Sequence, residues 1–315
     1  MKSISLLLLF TLVFTTVYSQ DTGSGFDLLN IGPSARSLSM SQATTAKAIG
    51  PASIFSNPAL LALDSGSSVE VNYTLWISNE NNQFAGFNYR KNQTAYAVAL
   101  FNSGSDNFEA RDTAGESAGF FSVGYLSIAG ALAHRFGPLS LGVTAQYLRE
   151  EVFQFRANGF AFTGGLSAQF LDERVTAGLS INNLGDMESL VEQSTKLPAS
   201  LNIGLNIDLV EFTTSGFNDL PVLISFITDW KKPLEEVAVI GAFDGDPNDD
   251  FFTLALSVNA GDLLYLQSGY RFGSTERPMS FGLGFMTNPI RVNYAIVPFS
   301  TGFGTVHSFG IQYYF

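Results

Sequence analysis

The sequence predicts an all-β chain, a fourteen-stranded antiparallel transmembrane β-barrel with an N-terminal plug segment. Three observations predict it. Most of the chain alternates apolar with small polar residues at period two, the spacing that sends successive strand side chains to opposite faces. Hydrophobic residues make up 46% of the chain, with 29 Phe and 30 Gly. Yet beyond the N-terminus no run of about 18 apolar residues exists, so no helix is available to span a bilayer. Short and long connections take turns along the chain, as in a barrel with tight turns at one membrane face and loops at the other. A secreted β-sandwich shares the composition, but the recurrence of the pattern behind an export signal favours the barrel.

In chain order, residues 1–19 read as a signal peptide. Lys2 is the positive n-region, residues 4–17 form the apolar core, and Val17 and Ser19 are the small residues flanking a cleavage site before Gln20. The apolar core is too short for a spanning helix. Residues 20–68 differ from the rest, with little alternation, many small residues and the prolines Pro33, Pro51 and Pro58. Such a stretch is too short for a domain with its own core. Its Leu and Ala content argues against disorder, so it is expected to fold inside the barrel.

Residues 69–315 are the barrel. Val69, Val71, Tyr73 and Leu75 alternate with Glu70, Asn72 and Thr74; Leu139, Leu141 and Val143 alternate with Ser140, Gly142 and Thr144. Leu201 to Leu209, Met279 to Phe285 and Ile290 to Ile296 repeat the pattern. In the last strand His307, Phe309, Ile311, Tyr313 and Phe315 face one way and Ser308, Gly310, Gln312 and Tyr314 the other. In a membrane barrel the apolar rows meet lipid and the small polar rows line the lumen. Fifteen segments qualify as strands, one more than an even-stranded barrel allows. Short connections are expected at 91–92, 136–138, 171–173, 261–262 and 288–289, and long ones at 103–118, 151–155 and 183–198. They alternate only if residues 235–243 do not span, which assigns residues 231–250 to one extracellular loop. Residues 211–220 stay long for a periplasmic turn. Phe120, Phe121, Phe251, Phe252, Tyr313 and Tyr314 lie near strand ends, where interfacial aromatic girdles form.

Several functions are excluded. The chain has no Cys, so it has neither disulfides nor a lipoprotein anchor. Its net charge is −12, and loss of Lys2 makes it more negative still, which disfavours nucleic acid. Two His and no Cys leave no transition-metal site, and no cofactor is implied. Asp244, Asp246 and Asn248 open like a calcium loop, but Asp249 stands where Gly is needed and Ala255 where Glu is needed. No nucleophile elbow lies near His134 or His307, so no enzyme is expected.

Gly32-Pro33-Ser34-Ala35-Arg36, then Met40 and Ala43, then Asn57-Pro58-Ala59 with Leu61 and Ala62 resemble the opening of the PorV/PorQ proteins. The first strand with Trp76, the Gly269-Tyr270-Arg271 strand and the terminal Phe315 are similar to the same family, so the likeness covers nearly all of the mature chain. Ser41 and Gln42 depart from the Gly-Gly that follows Met in the family. That family is similar to the FadL long-chain fatty-acid transporters, fourteen-stranded barrels with an N-terminal plug. The resemblance implies a protein of the Gram-negative outer membrane. It implies a non-enzymatic component or docking factor of type IX secretion, with secretion-system proteins or secreted cargo as partners and outer-membrane lipid around it. Extracellular residues 103–118 and 231–250 would recognise the partner. The alternative is a FadL-like channel for a hydrophobic ligand. Within the plug, Arg36 is expected to pin the segment to the wall through Asp208 or Glu70. Asn57-Pro58, with Ala59, is expected to set a tight turn in which Asn57 bonds its own backbone. Arg271 and Arg291, on the eleventh and thirteenth strands, are expected to line the lumen.

Overall fold

The structure, a computed structural model, describes residues 26–64, 66–77, 80–110, 119–190, 194–213, 220–234, 249–300 and 302–315. The expected signal peptide and residues 235–248, including the acidic Asp244 to Asn248 run, lie outside them. The wall consists of β1 (Ser68–Leu75), β2 (Asn81–Lys91), β3 (Thr94–Ala110), β4 (Gly119–Phe136), β5 (Leu139–Val152), β6 (Phe155–Phe170) and β7 (Val175–Ser189). It continues through β9 (Ser200–Thr213), β10 (Pro221–Pro233), β11 (Phe251–Ala260), β12 (Leu264–Phe272), β13 (Met279–Thr287), β14 (Ile290–Pro298) and β15 (Thr305–Tyr314). β8 (Ser194–Lys196) is a three-residue ribbon on β7 and does not cross. Each wall strand pairs antiparallel with its neighbours, and β1 closes on β15 with Val71 opposite Ile311. Closure of fourteen strands removes every edge, which a lipid-embedded sheet requires.

Burial follows the alternation. Val71 is 48% exposed while its neighbour Asn72 is 5% exposed, and Val69, Tyr73 and Leu75 face out with Val71. The outward rows of Val143, Phe162, Ile203, Leu283 and Phe309 continue this belt round the barrel. A continuous apolar belt of this size against water would be unfavourable by roughly 25 cal/mol per Å2, so it identifies the lipid face. The protein is an outer-membrane barrel.

The short turns gather at one end, which is therefore the periplasmic one. They fall within a residue or so of the expected places, for example Gly137-Pro138, where Gly137 adopts a φ of 62° that disfavours any side chain. The long connections are a correction. Residues 103–118, 151–155 and 183–198 were expected to be loops, but β3, β5, β6 and β7 run into them. The β5–β6 hairpin pairs Val152 with Phe155, leaving only two residues in the turn. Charges such as Arg149, Glu151 and Arg156 end the apolar pattern there, but above the membrane backbone pairing needs no apolar face. The barrel is therefore lopsided. β12, β13 and β14 have 9 residues, enough to cross the hydrocarbon when tilted, whereas β3 has 17 and β4 has 18. At 3.3 Å per residue, one side carries about 26–30 Å more wall along the strand. Likewise β10 extends through Lys231 and Lys232 to Pro233, and β9 and β10 shorten the 211–220 connection.

The aromatic girdle is corrected by parity. Phe120, Phe252 and Tyr313 face out, whereas Phe251 lies under the Arg271 guanidinium at 5.7 Å and Tyr314, at the other end of the barrel, turns inward. Phe121 packs edge-on against Phe153. Consecutive strand residues cannot share a face.

Candidate functional site

Residues 26–64 fold inside the barrel as short turns, including α1 (Ala35–Ser39) and α2 (Ser53–Ser56), most of their side chains buried. Ser34 caps α1, its hydroxyl accepting the Ser37 N–H at 3.2 Å. Elements this short cannot hold themselves, so the wall holds them. Asn72 on β1 accepts the Ala35 N–H at 3.0 Å, and Thr144 on β5 donates to the Ile54 carbonyl at 2.9 Å. Asn182 on β7 donates to the Ser56 carbonyl at 2.9 Å, and Asp229 on β10 accepts the Thr45 N–H at 2.8 Å. Ser280 on β13 accepts the Ser41 N–H at 2.8 Å. These ties go right round the ring.

Lumen glycines let the backbones touch. A Cβ on Gly142 would strike the Pro58–Ala59 peptide, and one on Gly269 would strike the Met40–Ser41 peptide. The small residues of the inward rows are thus a mould for the inner segment.

Asn57 behaves as its sequence suggests. Its Oδ1 accepts the Ala59 N–H at 3.1 Å, and its Nδ2 donates to the Thr45 carbonyl at 2.7 Å and to Leu166 of β6 at 3.1 Å. Pro58 packs beside Gly165, and Ala59 is fully buried. Arg36 is a correction. It is buried, but its Nη2 donates to the Ala48 carbonyl at 3.1 Å, within the same segment. Neither wall carboxylate expected for it forms a hydrogen bond with it: Glu70 Oε1 accepts from Asn72 while its Oε2 has no partner, and Asp208 lies 3.9 Å from Lys47. Arg271 on β12 faces the lumen and donates to the Ser41 carbonyl at 3.2 Å. Arg291 on β14 is buried against the Tyr265 ring at 3.7 Å and donates to Asn293 at 2.9 Å.

Lys47 and Asp229 were not foreseen. Asp229 had a signal, a lone acid at lumen parity in the apolar strand Ile227-Thr228-Asp229-Trp230. Lys47, in a run of small residues, had none. Its Nζ donates to Ser225 Oγ at 3.4 Å, and Ser225 donates to Asp208 at 2.6 Å. Burial lowers the pKa of the Lys47 ammonium; Asp208 opposes this, and Arg36 and Arg291 add to it. Since 23% of its side chain stays exposed, solvent limits that fall.

The interior is two-sided. Along β2–β7 a buried apolar cluster joins Phe84, Phe101, Leu148 and Met187 to Phe26, Leu28 and Ile54 of the inner segment. Phe26 meets Tyr125 edge-on at 5.3 Å, and Phe55 meets Phe101 at 5.9 Å. Along β12–β15 and β1 the inward residues are mostly polar: Gln267, Ser280, Arg291, Gln312 and Glu70. Beneath the inner segment, at the periplasmic end, lies a cavity of about 660 Å3.

No protein-family model matches the chain, and no curated protein matches it in sequence. Solved structures do match in fold. The toluene transporter TbuX of Ralstonia pickettii superposes with a TM-score of 0.59 at 13% identity, over 92% of this chain and 100% of that one. The CymD monoaromatic hydrocarbon channel gives 0.61 at 14% identity, over 92% and 99%. A Pseudomonas aeruginosa FadL homologue gives 0.54 at 12% identity, over 90% and 98%. At such identities the likeness is one of fold: this is a FadL-like barrel.

Proposed function

We propose that the protein is a channel admitting small hydrophobic molecules across the outer membrane, with residues 26–64 as its plug. The observation that carries this is the apolar cluster running from Tyr125 and Phe101 on the wall to Phe26 and Phe55 on the inner segment. A water-filled pore has a polar interior, whereas an apolar lining with a few polar groups suits an apolar ligand. The toluene transporter and the hydrocarbon channel support the reading through shared architecture. Arg271 and Ser280 act as struts that keep the plug seated, and Asn57, Pro58 and Ala59 set its contact with β5 and β6.

The test is uptake of radiolabelled toluene by cells producing the protein. Uptake should exceed that of cells without it and fall to their level in Phe101→Gln, which sets an amide in the apolar path. Equal uptake with and without the protein contradicts the reading.

A second reading, docking in type IX secretion, has its own observation. Phe120 is 69% exposed and Phe153 is 62% exposed, both on the tall rim above the membrane. Taken with the PorV/PorQ resemblance of residues 32–36 and 57–62, such apolar tips suit a protein partner. Co-purification from native membranes decides: a stoichiometric translocon subunit or secreted protein supports docking, and its absence favours the channel.

A further inference from the structure

We propose that the periplasmic cavity is a binding site for a small organic cation, held through an alkylammonium group. It is a second site, apart from the channel reading, because the group it takes is charged. The cavity of about 660 Å3 is large enough to enclose a small organic molecule. Leu60, Leu63 and Leu223 give it an apolar patch for a short alkyl chain, while most of the remaining lining is polar or charged.

The wall builds this site by register. Gln169 on β6 stands opposite Thr176 on β7, and Thr176 stands opposite Asn206 on β9. All three have inward parity and line the cavity, so three hydrogen-bonding side chains stand about 5 Å apart in one row. Asp208 follows Asn206 by two residues, on the same face. Asn206 is 4% exposed. Its Nδ2 donates to Asp208 Oδ1 at 3.4 Å, which fixes the orientation of the amide and leaves its Oδ1 buried without a partner. Gln169 Oε1 is likewise buried and unpartnered. The bonds of Asp208 to Ser225 and Asn206, and its approach to Lys47, all use Oδ1, so its Oδ2 is unbonded among the described residues. What this row lacks is a donor.

The charges make the same demand. Asp172, Asp208 and Glu211 line the cavity with only Lys47 and Arg174 against them, and Glu173 is drawn to Arg135 at 2.6 Å. Arg174 stands 3.9 Å from Glu211 and Lys47 stands 3.9 Å from Asp208, both at the limit of an ion pair. An ammonium carries three donors and no acceptor, so it supplies what the Asn206, Gln169 and Asp208 oxygens lack. A carboxylate or phosphate would bring more acceptors to them, and an apolar solute would leave them unmet. A free amine and a lysine side chain of a periplasmic polypeptide carry the same group.

Isothermal titration calorimetry on the full-length protein in detergent compares 1,4-diaminobutane with 1,4-butanediol, its uncharged counterpart. The diamine should bind saturably and the diol should not. Asn206→Leu keeps every charge and should weaken diamine binding about tenfold, the scale of one hydrogen bond to a charged group. Lys47→Met removes the cation that competes for Asp208 and should tighten binding about two- to fivefold, the scale of a partly exposed ion pair. Heat-modifiable electrophoretic mobility shows that each variant is folded; should Asn206→Leu fail to fold, Lys47→Met alone decides. A lysine tripeptide separates the sources: tighter binding than the diamine supports a polypeptide at the site, and weaker binding supports a free amine. No saturable binding of either amine, equal binding of the diol, or diamine binding that neither variant alters overturns the site. Toluene uptake judges the channel reading separately.

Discussion

The two faces of a single strand of this barrel obey opposite rules. On β5, Val143 points to lipid and is exposed, while Gly142 beside it touches the Pro58–Ala59 peptide. The outer face meets a fluid that adapts to any apolar shape, so it needs only to be apolar. The inner face meets a solid, the folded N-terminal segment, so it must match in shape and in hydrogen bonds. The same small residue that looks featureless in the alternation is fixed to a size by what lies against it.

This contrast can be broken at adjacent positions, with unfolding followed by urea titration in detergent or lipid. The largest effect is expected for Val143→Arg, which places a guanidinium near the bilayer midplane and should lose about 2–4 kcal/mol. Gly142→Leu drives a side chain into the Pro58–Ala59 backbone and should lose about 1–3 kcal/mol. Asp229→Ala leaves the buried Thr45 N–H without its acceptor and should lose about 1–2 kcal/mol. Asn57→Ala removes the cap on the Ala59 N–H and should lose about 1 kcal/mol. Val143→Leu should change stability by less than about 0.5 kcal/mol. A Gly142→Leu variant as stable as Val143→Leu would mean that residues 26–64 do not sit against β5.

The fold was legible because its main signal is local. Period-two patterning marks every strand, and the parity of connection lengths removes the one segment too many. Strand height was not legible. Nothing apolar marks where β3 and β4 leave the bilayer, and a paired charged strand such as residues 149–152 reads like a loop. Residues 20–68 stand apart in the sequence because they lack the alternation, and the Asn57 turn could be read because its bond to the Ala59 N–H spans two residues. The contacts of the inner segment with the wall were not legible. Whether Asp208 meets Arg36 or Lys47 depends on how a segment of short turns is threaded through a ring of strands. Arg36 is the more conspicuous residue in sequence, yet its hydrogen bond stays within its own segment while Lys47 reaches outward.

The most direct measurement of the central claim uses single cysteines in this cysteine-free chain, labelled with a small fluorophore in bilayers of brominated lipid. Labels at Val71, Val143 and Leu283 should be quenched, and labels at their neighbours Asn72, Thr144 and Gly284 should not. Equal quenching on both faces, or none at either, would contradict a wall that turns one face to acyl chains and the other to the folded N-terminus.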